Sequence, residues 1–278
     1  MKVLIFDISN LMMRCLFAQK VDPAEKRFDL FKLTFLGSFT KALKQHKPDR
    51  VIWVEDSESW RKEINPDYKA NRAAKREQST VNFDVFFPVA TEFFESLHKA
   101  FRNIPFIRVP NAEADDCIAT IVKHKPEWNI INISSDKDFY QLFKYPNYAQ
   151  YDAVKHEFVE CLNPEQALLV KILTGDKSDN IPGVQRGVGP VKALKIINED
   201  LDKWIDEQGL REKYELNTKL ISFNCIPKEI ELAILKELDS FEYQEFDAKA
   251  YFKFVQMNGL VELMDNMSEF TNLIKGLK

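Results

Sequence analysis

Acidic residues follow each of four short apolar runs in the first half of this chain, and that placement limits what it can fold into. Val3-Leu4-Ile5-Phe6 runs into Asp7, and Val51-Ile52-Trp53-Val54 into Glu55 and Asp56. Phe106-Ile107-Arg108-Val109 is followed by Glu113, Asp115 and Asp116, and Ile130-Ile131-Asn132-Ile133 by Asp136 and Asp138. Such short runs suit buried strands. Between them lie helical periods: residues 28–46 repeat Leu30, Phe31, Leu33, Phe35, Leu36, Phe39 and Leu43, and a helix is expected from Ala112 to His124. Strands alternating with helices predict an α/β fold, a mostly parallel central sheet flanked by helices. The C-terminal ends of parallel strands share one edge, and ligands bind in the crevice there. The pattern therefore gathers Asp7, Asp56, Glu113, Asp115, Asp116, Asp136 and Asp138 on one edge.

A single aspartate at a strand end is ordinarily a turn former or helix cap, and Asp115 or Asp116 can complement a helix dipole. Acids at every strand end are more than capping requires. So many like charges stay together only with raised pKa values or bound cations. Oxygen ligands suit hard divalent ions, and the lack of a nearby His or Cys cluster favours Mg²⁺ or Mn²⁺ over zinc. Two such ions about 4 Å apart suit in-line phosphodiester displacement. Asp115 lies roughly 200° round a regular helix from Glu113, so Glu113 is expected in the entry turn.

The net charge of −4 does not exclude a nucleic-acid partner. Setting aside nine acids of the motifs described here leaves 34 of the 43, against 39 Lys and Arg. If the nine surround metal ions, the remainder is mildly basic. No apolar run approaches the roughly 18 residues that cross a bilayer, and Asp7 comes too early for a signal peptide. Cys15, Cys117, Cys161 and Cys225 are scattered without zinc spacing. A soluble protein of a reducing cytoplasm is expected.

Two further segments carry charge or backbone chemistry. Residues 57–80 contain Arg61, Lys62, Lys69, Arg72, Lys75 and Arg76 against four acids. This polar insertion is either a solvated loop or a phosphate clamp facing the carboxylates. From Pro164 onward helical periods dominate, interrupted by glycines at 183–189. No Lys-Ser or Lys-Thr follows those glycines, which rules out a nucleotide-binding loop. Gly187 and Gly189 suit a tight turn between helices, with Pro190 at a helix start. Amides there would face a phosphate, with Lys192 and Lys195 nearby. The tail from about 240 reads as ordinary packing helices.

Four segments in order, Ile5-Phe6-Asp7, Glu113-Ala114-Asp115-Asp116, Ser134-Ser135-Asp136-Lys137-Asp138-Phe139-Tyr140-Gln141-Leu142 and Gly175-Asp176-Lys177-Ser178-Asp179-Asn180-Ile181-Pro182-Gly183-Val184, resemble the 5′-to-3′ exonuclease and flap endonuclease family. Its bacteriophage members, including those called ribonuclease H, are the most similar. The resemblance spans residues 5 to about 197. It implies a PIN/5′-nuclease-like domain over 1–160 with a helical arch at 57–82. A helical DNA-binding subdomain over 161–278 would carry a helix–three-turn–helix near 176–197.

The resemblance implies two Mg²⁺ or Mn²⁺ ions. One is held by Asp7, Asp56, Asp115 or Asp116, and Asp136; the other by Asp138, Asp176 and Asp179, with Glu113 assisting. Val54-Glu55-Asp56 stands where the family has Phe-Asp, so either Glu55 or Asp56 can face the crevice. Tyr68-Lys69-Ala70-Asn71-Arg72 resembles the arch-base motif. This implies that Lys69 and Arg72 contact the scissile phosphate and that Tyr68 stacks on a base, with Arg61, Lys75 and Arg76 as further substrate contacts. Gly187, Gly189, Lys192 and Lys195 would grip duplex backbone, where the family often binds K⁺. The implied activity is structure-specific 5′-to-3′ cleavage of flaps and RNA primers by a monomer. Its partners would be duplex, 5′-flap DNA and RNA–DNA hybrid, with replication proteins such as a single-strand-binding protein or sliding clamp. A catalytically silent branched-DNA binder and a one-metal RNA-processing nuclease of the same fold are the alternatives.

Overall fold

Strand β1 (Lys2–Asp7) is buried on both sides, which is why its apolar residues run continuously instead of alternating. Leu4 and Phe6 enter one core and Val3 and Ile5 the other. β2 (Arg50–Val54) repeats the division, with Val51 and Trp53 on one face and Ile52 and Val54 on the opposite one. These strands join β3 (Phe106–Ile107), β4 (Asn129–Ile133), β5 (Tyr148–Asp152) and β6 (Glu157–Val159) in a sheet of order β3-β2-β1-β4-β5-β6. All neighbours are parallel except β5 and β6. The computed structural model describes residues 1–18, 26–153 and 155–277.

Among the described residues, thirteen α-helices accompany this sheet and its extension: α1 (Ile8–Ala18), α2 (Lys26–His46), α3 (Arg61–Ile64), α4 (Asn71–Glu77), α5 (Phe83–Ala100), α6 (Ala114–His124), α7 (Pro164–Thr174), α8 (Pro190–Glu199), α9 (Leu201–Glu207), α10 (Arg211–Ile221), α11 (Lys228–Asp239), α12 (Ala248–Met257) and α13 (Met267–Lys275). α1, α2 and α5 cover one face through a core rich in phenylalanine; α6 and α11 cover the other. Strand order grows outward from β1 to β3, then the chain crosses back over β1 to lay down β4. The crevice between β1 and β4 is thus the topological switch point of the sheet. Asp7 ends β1, and its neighbour Phe6 pairs with Ile133, the last residue of β4.

Several boundaries differ from the expected ones. The third strand stops at Ile107, two residues early, and α6 begins at Ala114 with Glu113 as its N-cap. The chain adds β5 and β6, whose alternating polar residues gave no apolar run. The unit expected over 161–278 divides. α7 to α10 form their own small cores, with Leu173, Val184, Val188, Ala193 and Ile196 in one of them. Phe246, Tyr251, Phe254, Phe270 and Ile274 instead join the phenylalanine core on the sheet. Apolar side chains this size, each worth about 1.5–3 kcal/mol on burial, dock wherever a matching face is open; the α2–α5 face is that surface.

Phe270 shows how far the tail belongs to the domain. Its ring lies 4.7 Å from Tyr251, 5.8 Å from Phe101 and 6.4 Å from Phe39. Phe270→Ala should cost about 3–5 kcal/mol, measured by urea denaturation. A loss below about 1 kcal/mol would mean that the tail is a detachable appendage.

Candidate active site

Asp7, Asp56, Asp115 and Asp136 line one cleft of about 600 Å³ at the switch point. Backbone amides of neighbouring segments fix Asp7, Asp56 and Asp136. Asp7 accepts a hydrogen bond from the Asn10 amide at 2.9 Å, the first turn of α1. Asp56 accepts from the Ala114 amide at 2.9 Å, joining the end of β2 to α6. Asp136 accepts from the Asp138 amide at 3.0 Å. Its loop is held from β5, where the buried Gln150 donates to the carbonyls of Ser134 and Asp136 at 3.0 and 2.7 Å. Arg14 of α1 donates to Ser135 Oγ at 2.7 Å and pairs with Asp152 at 3.0 Å. Glu55 instead meets Arg108 at 3.5 Å, so Asp56 is the acid that faces the cleft.

Charge in this group is poorly balanced. Burial, then the charges of Asp56 and Asp136, push Asp7 up to about 8. Burial, then Asp136, Asp7 and Asp138, push Asp115 well above the carboxylate range.

A second group lies beside it. Asp138, Asp176 and Asp179 each offer a carboxylate oxygen within 4.8 Å of the others. Asp176 and Asp179 ride on a hairpin of β7 (Gly175–Asp176) and β8 (Ile181–Pro182) that follows α7. Gly175 has φ +73°, and a Cβ there would sit 2.3 Å from the Ile181 carbonyl, so the hairpin closes only on glycine. Here protein cations supply the balance. Lys171 of α7 contacts Asp138 and reaches Asp176 at 2.7 Å. Arg72 pairs with Asp179 at 2.8 Å, and Lys69 contacts Glu113 and lies 3.7 Å from Asp179. Burial raises Asp138 to about 6 despite Lys171. Burial also acts to raise Asp176, but hydrogen bonds from Lys171 and Ser178 hold it at about 2.

The two groups offer carboxylate oxygens as ligands, several of them buried and either raised above the usual carboxylate range or ion-paired. That donor set fits hard divalent cations.

The insertion is stitched to the hairpin. Lys69, at φ 60°, donates its amide to the Asp179 carbonyl at 2.9 Å. Asn71 donates to the Lys177 carbonyl and Asn180 to the Asp67 carbonyl, both at 2.8 Å. A non-glycine residue in the left-handed region is uncommon; here it turns the Lys69 side chain towards both carboxylate groups. Lys69, Arg72, Lys75 and Arg76 all line the cleft.

Three expected substrate or metal residues have other duties. Arg61 is buried and forks onto Asp116 at 2.8 and 2.9 Å, with further bonds to Glu113 and the Leu220 carbonyl. Asp116 is fully buried and also accepts from the Trp60 indole at 3.1 Å, so it does not reach the cleft. Tyr68 is buried, its hydroxyl donating to Glu113 at 2.9 Å and Asp179 at 3.1 Å, with no ring face for a base. Amphipathic side chains in a polar insertion read as surface; their partners sit tens of residues away in sequence. Glu113 is likewise committed to Arg61, Tyr68, Lys69 and Ser59. Lys171 and Arg14 were not singled out by sequence. The available signal for Lys171 was a cation in the last turn of a helix running directly into Gly-Asp.

Beyond the hairpin, Gly189 caps α8 and Gly187 has φ +82°; a Cβ at either would meet nothing within 4 Å. Val191, Lys192 and Lys195 are exposed around this helix start, Lys195 being 3.8 Å from Glu199. The N-terminus of α8 therefore opens to solvent.

The geometry can be set beside known proteins. The 5′-3′ exonuclease N-terminal resolvase-like domain matches residues 2–169. Ribonuclease H of enterobacteria phage T4 is 30% identical over 246 residues, covering 79% of this chain and 78% of the relative. Flap endonuclease Xni of Shewanella sp. (strain W3-18-1) is 33% identical over 210 residues, covering 70% and 74%. Among solved structures, the bacteriophage T5 flap endonuclease in a pseudo-enzyme-product complex with DNA and metal ions superposes with TM-score 0.69. It is 21% identical, over 86% of this chain and 98% of that one. The T5 5′-exonuclease with bound zinc gives TM-score 0.67 at 22% identity, over 87% of this chain and 100% of that one. These two likenesses establish the fold, and the family match together with the T4 and Shewanella relatives establishes descent: the chain belongs to the 5′-to-3′ exonuclease and flap endonuclease family.

Proposed function

We propose that this protein is a structure-specific 5′-to-3′ nuclease that hydrolyses phosphodiesters at 5′ flaps, nicks and RNA–DNA primer junctions with two divalent cations. The observation that carries this reading is continuity. One hairpin bears Asp176 and Asp179, is stitched to the phosphate-clamping insertion, and leads straight into the open N-terminus of α8. Charge neutralisation, phosphate contact and duplex grip are thereby held at fixed spacing.

Asp7, Asp56, Asp115 and Asp136 would hold one cation, and Asp138, Asp176 and Asp179 the other, with Glu113 supporting through Lys69. Bound there, divalent cations lower the pKa of water and offset charge on the phosphoryl and leaving oxygens. The chain's own cations complete the clamp. Lys69 stays protonated because Glu113 and Asp179 outweigh the burial that opposes its charge. An incoming phosphate competes with Asp179 for Lys69 and Arg72, so both can move onto it without leaving the cleft. Lys192 and Lys195 would hold duplex phosphates beside the α8 amides, reading no sequence.

Asp136→Asn should abolish release of 5′-terminal products from a 5′-flap substrate in Mg²⁺ while leaving duplex affinity within about twofold. Products from 3′ ends alone, or normal turnover by this variant in saturating Mg²⁺, would sink the reading.

Lys69 and Arg61 separate catalysis from support. Lys69→Ala should lower the single-turnover rate at saturating substrate by about 10²-fold. Lys75→Ala, further out, should mainly weaken binding. Arg61→Ala should instead lose about 3–5 kcal/mol of stability, because Asp116 is left buried without its partner. Rescue of Lys69→Ala by excess enzyme and substrate would remove it from the reacting phosphate.

Lys192→Ala should weaken binding equally on unrelated sequences and reduce the salt slope of log K by about one. A sequence-dependent loss, measured by fluorescence anisotropy on several duplexes, would contradict a backbone grip.

A further inference from the structure

Tyr68 is sealed beneath Glu113, so the aromatic surface open to a substrate lies elsewhere in the cleft. Phe17, Phe83 and Phe87 line the same cleft as the four aspartates. Phe83 stacks on Phe87 with centroids 5.4 Å apart and planes inclined by 27°. The Arg76 guanidinium lies 5.0 Å from the Phe87 centroid. Phe17 meets Phe83 in a T-shaped contact at 6.3 Å yet remains 52% exposed. These groups form one wall, three rings from two helices capped by an arginine, with Arg72 and Lys75 beside it.

A ligand suited to both the rings and the cations of this cleft carries a flat apolar face and an adjoining anion. Phe83 is 8% exposed and backs the wall, so the half-exposed Phe17 and the partly buried Phe87 offer the π-faces; the cations lining the same cleft offer phosphate contacts. An unpaired nucleotide has both parts, whereas a paired base in duplex has its faces covered by its neighbours. Resting on the nuclease reading above, we propose that the Phe17–Phe83–Phe87–Arg76 wall is a stacking seat for unpaired bases of the 5′ strand next to the scissile phosphate. Ring faces are shared by all bases, so the seat is tolerant of sequence and selective for strands that are not paired. Arg76 extends the ring stack with a guanidinium plane, on which a base can lie.

The test uses the full chain and 5′-flap DNA carrying 2-aminopurine at successive unpaired positions beside the cleavage point, with Ca²⁺ in place of Mg²⁺ for binding. Wild type should quench 2-aminopurine at one or two positions, and Phe17→Ala and Phe87→Ala should lose most of that quenching. Phe17→Tyr should retain it. In Mg²⁺, an abasic nucleotide at the quenched position should slow single-turnover cleavage by wild type about tenfold. The same abasic substitution should make little further difference to the alanine variants. Phe17 is half exposed, so its replacement keeps the test open if Phe87→Ala misfolds. Equal cleavage of abasic and native flaps by wild type, with unchanged quenching in Phe17→Ala, would overturn the stacking seat while leaving the nuclease reading intact. Quenching that depends on Phe17 in a protein that cuts no 5′-ended substrate would overturn the nuclease reading and support the seat as a single-strand binding surface.

Discussion

Repulsion among carboxylates collected on one sheet edge governs the design of this protein. A parallel sheet with a switch point delivers side chains from several strands to a single crevice, and here nearly all of them are acidic. The chain meets the resulting charge in two ways. Around Asp7 and Asp115 it leaves the charge uncompensated, so these groups lie above the usual carboxylate range. Around Asp138, Asp176 and Asp179 it supplies Lys171, Arg72 and Lys69. The first group carries a standing deficit of positive charge; the second is close to neutral and must exchange partners to accept another cation.

The same ion pairs are also architecture. Arg61 and Asp116 form a buried cross-brace between the base of the insertion and α6. Asp179 receives Tyr68, Arg72 and the Lys69 amide from that insertion. A buried charge stripped of its partner is costly, so moving the insertion away from α6 or from the hairpin would strand Asp116 or Asp179. Lys69 inherits its position from that frame.

The sheet and its acids were legible because both obey short-range rules: apolar runs of strand length, each followed by a carboxylate. Asp7, Asp56, Asp115 and Asp136 fall together as the strand pattern implies, and Glu113 takes the entry-turn position its angular offset required. The residues that sequence misplaced are those whose environment is decided at long range. Tyr68 and Arg61 sit in a polar stretch, but their partners are Glu113, Asp116, Asp179 and the Leu220 carbonyl. β5 escaped because Gln150, buried and bonded to the Asp136 loop, breaks the apolar pattern of a central strand. The tail could be read as helices but not assigned a face, since periodicity gives the apolar stripe and says nothing of what it covers.

That tail has a consequence for how the protein is made. Phe39 and Phe101 are translated early, and their rings are covered by Tyr251, Phe254 and Phe270 of α12 and α13. A polypeptide emerges from the ribosome N-terminus first, at roughly 5–20 residues per second. For about ten seconds or more the nascent sheet therefore carries an open aromatic face that no local segment can close. Its central strands can pair and its acidic crevice can form in that interval, but the hydrophobic seal waits for the last helices to be released.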